Sequence, residues 1–350
     1  MLVAIVMWTV IFLFIVQLCL LSALVISKIQ SLKEEQLLST YMETYEEPFF
    51  AYLERKTEEY PHLLSDIRYR VLIVERVLNR FVDQREDGIE YTRVRETAQT
   101  HLAHAYRLFL KNGSWSQRVN TLYYIEDFDM VDLKLDVWHY FNRLPVQDEE
   151  FRQAVRLLAT FQDERVIRTI LNSETISQRL VKQVLRRFKE DLIQQMMRVI
   201  EDEPGRVPRH VHLAVVSFCG EKGSLDHLPF IERMLRFPSK EIRLKALRSL
   251  MELKACTHTE QLDSFYISEV WEERMYAAKI AGRLKLESSQ DALLKLAGDS
   301  EWWVRYAACE AMKKLPDGDR LLDYTYHHHE DRFARSMARQ HLTVKVGESI

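Results

Sequence analysis

The pattern of apolar and polar residues divides the chain into an uncharged N-terminal stretch and a long amphipathic remainder. Residues 2–26 read LVAIVMWTVIFLFIVQLCLLSALVI, without a charged side chain. At ~1.5 Å per residue, a helix of this length exceeds the ~30 Å hydrocarbon thickness of a bilayer. A cleaved signal peptide would have a basic n-region and a shorter apolar stretch, and this segment has neither. The pattern therefore predicts a single transmembrane helix within residues 1–27.

The charges that flank this segment predict its orientation. No lysine or arginine precedes it, whereas Lys28 and Lys33 follow closely. The positive-inside rule then places the soluble part in the cytoplasm of a single-pass cell-membrane protein, with the reversed orientation as the alternative. The cysteines form no CxxC pair and are typical of structural thiols in a reducing compartment. They are Cys19, Cys219, Cys256 and Cys309.

The residues after the anchor have helical patterning. Residues 28–60 are polar and acid-rich, and we interpret them as a juxtamembrane helical spacer broken near Pro48. Over residues 61–115, stretches such as DIRYRVLIVERVLNRF carry apolar residues at three- and four-residue intervals, which predicts a divergent helical N-terminal cap. Only the short tail at residues 341–346 alternates with period two. The chain is therefore predicted to be all-α.

A repeat of about 31 residues occupies the C-terminal half. It is marked by arginines spaced 31, 31 and 30 residues apart: Arg243, Arg274, Arg305 and Arg335. An alanine follows each by three positions: Ala246, Ala277, Ala308 and Ala338. Apolar residues follow at offsets of seven and ten: Leu250, Ala281, Met312, Leu342, Leu253, Leu284 and Leu315. These offsets lie on one helical face, and each such helix precedes a second apolar helix, such as residues 291–297.

Fainter copies of the repeat lie upstream. The same offsets give Thr121, Ile125 and Phe128 from Arg118; Ala154, Leu158 and Phe161 from Phe151; and Ala214 and Phe218 from Val211. The copy expected near Arg179 fits poorly. A helical pair of this size cannot bury its apolar face alone, whereas stacked pairs build one continuous core. The repeat therefore predicts an α-solenoid over residues 116–345.

Three segments resemble the first helices of HEAT repeats, particularly the short bacterial HEAT-like type shared with phycobilin-lyase subunits. They are SKEIRLKALRSLMEL, WEERMYAAKIAGRLKL and SEWWVRYAACEAMKKLP. The resemblance is specific over residues 238–341 and extends less distinctly from Ser116. It implies a right-handed α-solenoid and a protein-binding scaffold. It also implies a ladder between an acid before each first helix and the repeated arginine, although only Asp299 matches the acid position.

Few residues have the spacing of a chemical site. Consecutive side chains at 327–329 point about 100° apart on a helix, so these three histidines cannot converge on one metal ion. His101 and His104 share a helical face but lack the glutamate of a HExxH zinc site. Nucleotide-binding and nucleophile-elbow motifs are absent from the sequence. We therefore predict no catalytic residue, metal or cofactor, and the near balance of 49 basic and 52 acidic residues argues against nucleic acid.

Three groups of residues are candidates for partner binding. Arg179, Lys182 and Arg186 share a helical face, which could meet an acidic partner or the anionic leaflet or be simply solvated. Of Trp302 and Trp303, we expect one to pack between repeats and the other to be exposed as a binding residue. The third group comprises charged residues on the second helices, which we expect to face inward: Asp263, Asp291, Lys295 and Asp323.

These patterns favour a membrane-anchored, non-catalytic scaffold that binds a protein partner in a membrane-associated complex. Bacterial envelope or polysaccharide machinery is one such setting. The alternative is a lyase- or glycosylase-like enzyme built on the same repeats. That alternative requires a concave pocket with convergent polar groups and a carboxylate of perturbed pKa.

Overall fold

The computed structural model describes residues 2–84, 91–145 and 148–343, and every regular element in these ranges is a helix. The chain divides into two compact units, Met1–Phe161 (unit 1) and Gln162–Ile350 (unit 2). The predicted all-α fold is confirmed. The suggested period-two tail is wrong for residues 341–343, which end the last helix, and residues 344–346 lie outside the described ranges.

Unit 1 contains seven of the described α-helices. They are α1 Leu2–Leu53, α2 Ile67–Asp83, α3 Tyr91–His101, α4 Ala103–Asn112, α5 Trp115–Asp127, α6 Lys134–Phe141 and α7 Glu149–Thr160, with a 3-10 turn at Val131–Leu133.

Unit 2 begins with the described helices α8 Arg165–Leu171, α9 Gln178–Leu185, α10 Glu190–Asp202, α11 Arg209–Lys222, α12 Leu228–Met234 and α13 Lys240–Leu253. It continues with α14 Leu262–Tyr266, α15 Trp271–Leu284, α16 Gln290–Leu296, α17 Trp302–Lys314, α18 Gly318–His328 and α19 Arg332–Thr343. The 3-10 turns Leu225–His227, Thr259–Gln261 and Glu287–Ser289 lead into α12, α14 and α16.

Helix α1 runs unbroken through Pro48, so the break predicted there is wrong. A proline inside a helix removes one backbone hydrogen bond and disfavours helix at that point. Packing against α2 outweighs this penalty: Phe49 is fully buried, and the Phe50 and Phe81 rings meet edge-on with centroids 5.2 Å apart. The stretch interpreted as a spacer therefore contributes four buried residues to unit 1, Leu38, Met42, Phe49 and Leu53, while its other residues are exposed or half-buried.

The N-terminal part of α1 has a different environment. Among the described residues searched, the helix segment Ile11–Leu53 contains an 18-residue window of mean hydropathy 2.3, and none of that window is buried. A core helix of a soluble domain would be mostly covered. By its length and composition, this helix can cross a membrane.

Unit 2 shows the predicted stacking of helix pairs. The first helices α11, α13, α15, α17 and α19 each contact the next, and α12, α14, α16 and α18 alternate with them. The four alanines that follow the repeated arginines are completely buried, as are the apolar residues Leu250, Ala281 and Met312. The copies that begin at Arg118 and Phe151 also bury their offset residues, in α5 and α7 of unit 1.

At two glycines, neighbouring first helices lie too close together to leave room for a Cβ. A Cβ on Gly282 would lie 2.6 Å from the Cα of Ala311, and one on Gly220 would lie 2.6 Å from the Cβ of Ser249. The two glycines are two repeat lengths apart, each eight residues after the arginine position of its helix. That position is Arg274 in α15 and His212 in α11. The register predicted from Val211 is therefore displaced by one residue.

Candidate functional site

The repeated arginines fasten each first helix to the turn before it. In Arg243, Arg274, Arg305 and Arg335, the Nη1 group donates to carbonyl oxygens five or six residues upstream, at 2.7–3.0 Å. In unit 1, Arg118 donates to the Gly113 carbonyl at 2.8 Å in the same way. Since these carbonyls lie beyond the helix, the arginines satisfy acceptors that the backbone leaves open.

A carboxylate binds the other edge of three of these guanidinium groups. Arg118 donates from Nε and Nη2 to Glu150 at 3.0 and 2.7 Å, Arg243 from Nε to Glu273 at 2.8 Å, and Arg274 to Asp299 at 2.6 and 2.9 Å. Asp299 thus lies where the resemblance implied, and Arg274 lowers the pKa of Asp299 against the opposing effect of its burial. Glu273 lies in the first turn of α15, so a search for acids before the helix misses it.

Both tryptophans of α17 are exposed, so the expectation that one packs between repeats is wrong. Trp302 and Trp303 are 45% and 55% exposed, because α17 buries the face that contains Val304 and the alanines instead. The Trp302 ring lies edge-on to Trp303 at 4.7 Å and stacks on Tyr306 at 5.2 Å, and Tyr306 contacts His341 at 5.0 Å. We call these four residues the aromatic cluster. Its three α17 rings are exposed, so the cluster forms an aromatic surface that the core of unit 2 does not cover.

Two of the three cations on the predicted basic face of α9 lie near one carboxylate of unit 2. The Lys182 ammonium lies 2.5 Å, and the Arg186 guanidinium 3.6 Å, from the Glu221 carboxylate of α11. Burial would raise the pKa of Glu221, but hydrogen bonds from Lys182 and Ser217 lower it overall. Arg179 is exposed on the same helix. These ion pairs favour the interpretation of a solvated face.

The charged residues of the second helices are spread along unit 2. Asp291 and Lys295 are exposed on α16, Asp263 on α14 and Asp323 on α18. They therefore lie on successive helical pairs, and none belongs to the aromatic cluster.

The three consecutive histidines have three different surroundings. The Nδ1 of His327 is 3.1 Å from the Asp323 carbonyl, the His328 ring packs on Tyr324, and the Nε2 of His329 is 3.2 Å from the Leu294 carbonyl. Within the described residues, no group of three His, Cys, Asp or Glu side chains is arranged to hold a metal ion.

Two carboxyls of unit 1 titrate abnormally, which their sequence context did not reveal. Burial raises the pKa of Glu75 to about 7, and burial together with the Glu126 and Asp83 charges raises that of Asp127 to about 6. The buried Tyr106 hydroxyl has no hydrogen-bond partner of normal geometry among the described residues, and Glu75 is the charge that most affects its pKa.

A cavity of about 540 Å³ lies in unit 2 between α8 and α10. Its charged lining consists of Arg165, Arg168 and Arg206 with Glu164 and Glu203. The cavity thus belongs to unit 2, whereas the carboxyls of raised pKa belong to unit 1.

A family model matches the C-terminal part of the chain, and two solved structures are distantly similar to it. Residues 262–342 match the family of HEAT repeats. The complex of CpcE and CpcF of phycocyanin lyase from Nostoc sp. PCC7120 is similar at 14% identity and a TM-score of 0.27, over 68% of this chain and 92% of that chain. An engineered protein from the Northeast Structural Genomics Consortium is similar at 12% identity and a TM-score of 0.35, over 80% and 96%. No curated protein sequence matches the chain significantly. Residues 262–342 are thus similar to HEAT repeats.

Proposed function

We propose that the chain is a membrane-anchored, non-catalytic helical scaffold whose unit 2 binds a protein partner in a membrane-associated complex. The anchor is the apolar segment 2–26 of α1, and the soluble part faces the cytoplasm. HEAT-like repeats generally mediate protein–protein interaction, which supports the partner class. The uncovered apolar window of α1 supports the anchor.

The observation that carries the proposal is the exposure of three contacting aromatic rings on one helix. Trp302, Trp303 and Tyr306 lie side by side on α17 with 37–55% of their surface exposed. Large rings packed together at a surface are unfavourable in water, and tryptophan and tyrosine are the residues most enriched at the energetic centres of interfaces. We therefore place the partner contact at the aromatic cluster rather than at the basic face of α9, where Glu221 already engages Lys182 and Arg186.

The lyase- or glycosylase-like alternative requires perturbed carboxyls inside a polar pocket. Glu75 and Asp127 belong to unit 1, and the cavity is lined by residues of unit 2. Neither Glu75 nor Asp127 lines this cavity, which supports the scaffold over the enzyme.

Co-purification of the full chain from detergent extracts tests the proposal. We expect a stoichiometric membrane partner with the wild-type chain and at least a roughly 30-fold loss of affinity in the double variant Trp302→Ala/Trp303→Ala, the size expected for hot-spot residues. Trp115→Ala is the matched control, because Trp115 is 53% exposed in unit 1. Repeated recovery of the chain alone, or equal loss in the control, would contradict the proposal.

A further inference from the structure

The ladder of arginines and carboxylates is incomplete at Arg305. Upstream, Arg118, Arg243 and Arg274 each bind turn carbonyls with the Nη1 group and a carboxylate with Nε. Arg305 keeps its Nη1 bonds to the Asp299 and Ser300 carbonyls, at 2.7 and 2.8 Å. Its Nε, however, is buried and has no hydrogen-bond partner within the described part of the chain. A buried donor without a partner is costly, so a native structure rarely keeps one without a reason.

The sequence of α19 explains why the carboxylate is missing. Glu273 directly precedes Arg274, and the residue that directly precedes Arg335 is the buried Ala334. Asp299 lies six residues before Arg305, and the residue six before Arg335 is His329, whose Nε2 is 3.2 Å from a backbone carbonyl. Neither of these two positions, one in α19 and one in the turn before it, therefore supplies an acid.

The nearby acid Asp331 is engaged elsewhere. Its carboxylate accepts the backbone N–H groups of Phe333 and Ala334 at 2.6 and 3.0 Å, which caps the start of α19. These bonds lower the pKa of Asp331, and Arg305 contributes least among the causes. Among the described ion pairs, none joins Asp331 to Arg305.

The surroundings of Arg305 suit an incoming peptide. The Phe333 ring, half exposed, lies 5.4 Å from the Arg305 guanidinium and 4.7 Å from that of Arg332. Because this ring reaches solvent, it can turn aside without loss of core packing. Tyr306 of the aromatic cluster is the next residue along α17. A carboxylate that approaches here would meet two guanidinium groups with exposed aromatic surface beside them.

We propose that Arg305 binds an aspartate or glutamate carboxylate of an acidic, partly apolar peptide segment of the partner, which takes the place of the missing ladder acid. Apolar side chains of the same segment pack on Trp302 and Trp303. The inference rests on the proposed function and specifies the chemistry of its partner. The upstream arginines donate hydrogen bonds from this same guanidinium edge to a carboxylate. Charge-assisted bonds of this kind are among the strongest hydrogen bonds in proteins.

A peptide titration tests the inference without the natural partner. The probe is acetyl-(Glu-Leu)₃-amide, and acetyl-(Gln-Leu)₃-amide is its neutral control. The readout is the Nε–H resonance of Arg305 in the full chain, labelled with ¹⁵N-arginine in detergent micelles and assigned by its loss in Arg305→Lys. We expect a saturable shift with the acidic probe and at least roughly tenfold weaker binding of the control. Equal shifts from both probes, no saturable shift, or the same shift from phosphatidylglycerol nanodiscs without peptide would overturn the inference.

A variant that completes the ladder internally provides the second test. Ala334→Glu places a carboxylate where Glu273 stands relative to Arg243, so we expect roughly tenfold weaker binding of the acidic probe than in Ala334→Gln. Circular dichroism establishes that both variants fold. If the buried position does not tolerate Glu, Phe333→Glu and Phe333→Gln make the same comparison at an exposed site. Equal binding of the acidic probe by the Glu variant and its Gln control overturns the inference. If, in that case, Trp302→Ala/Trp303→Ala still loses the natural partner, the proposed function stands and only the role of Arg305 is refuted.

Discussion

Substitution of Gly282 by alanine tests the close stacking on which the fold of unit 2 depends. The added Cβ would lie 2.6 Å from the Cα and 2.8 Å from the Cβ of Ala311, well inside normal contact distance. Because the nearest atom belongs to the backbone of α17, the clash cannot be relieved by a side-chain rotation. We expect this overpacking to cost about 2–3 kcal/mol, the upper part of the usual range, partly offset by the ~1 kcal/mol that alanine gains over glycine in a helix.

The net expectation is a loss of about 1–2 kcal/mol in the free energy of unfolding of unit 2. In urea, with a slope of about 2 kcal/mol per molar, the unfolding midpoint would fall by roughly 0.5–1 M. The assay is far-UV circular dichroism of the full chain in detergent, with hydrogen exchange of α15 and α17 to locate the effect. Gly205→Ala is the matched control, because no atom lies within 4 Å of its added Cβ. We expect a change within about 0.5 kcal/mol there.

A second substitution separates backbone approach from side-chain crowding. Replacing Ala311 with glycine in the Gly282→Ala background removes the 2.8 Å contact but leaves the 2.6 Å contact with Cα. We therefore expect only partial recovery of stability. A Gly282→Ala chain as stable as wild type, or full rescue by the second change, would refute the reasoning that these helices are held at backbone contact.

Four further predictions concern titration, stability and thiol reactivity. The folded-state pKa of Glu75 is raised to about 7 from 4.5, so the stability that Glu75 contributes is complete below about pH 4.5 and lost as the pH rises to about 7. Glu75→Gln should remove up to ~3 kcal/mol of this pH dependence of the unfolding free energy, less after solvent screening. Urea unfolding between pH 4.5 and 7.5 measures the difference. Asp299→Asn should lower stability by about 1–3 kcal/mol at pH 7, because it removes the anionic partner of a guanidinium, and an unchanged melting temperature would contradict this. Burial raises the pKa of the Cys219 and Cys309 thiols to about 12, so a maleimide should label these two cysteines only after unfolding. Ser336 is exposed on α19, so a membrane-impermeant reagent should label the variant Ser336→Cys in lysed cells but not in intact cells if unit 2 is cytoplasmic.

The helical faces of unit 2 were predictable because they depend on spacing alone. An alanine three residues after each arginine marks the line along which first helices meet, and its burial follows directly from helical periodicity. The repeat register of α11 was harder to predict from the sequence, since His212 replaces the arginine there and both Val211 and His212 are buried. Only the contact between Gly220 and Ser249 distinguishes the two registers.

The features that were missed depend on partners distant in sequence. Nothing near Pro48 indicates that α1 continues as a helix across it, because the packing of Phe50 on Phe81 outweighs a local propensity. The exposure of Trp302 runs against the usual preference of tryptophan, which is highly buried on average. Such a violation of a local rule is expected where a residue serves binding rather than folding.

The continuity of α1 changes what the proposed anchor does. The helix rises about 18 Å from Ile26 to Leu38, where its side chains become buried in unit 1. Its far end is fastened by the buried Arg93, which donates to the Tyr52 and Thr57 carbonyls at 2.6 and 2.8 Å. A flexible tether would only raise the effective concentration of the scaffold at the membrane. As the proposed anchor, a helix that is also a core element of unit 1 would in addition fix the height of unit 1 above the bilayer, and so restrict the partners of unit 1 to those of matching height.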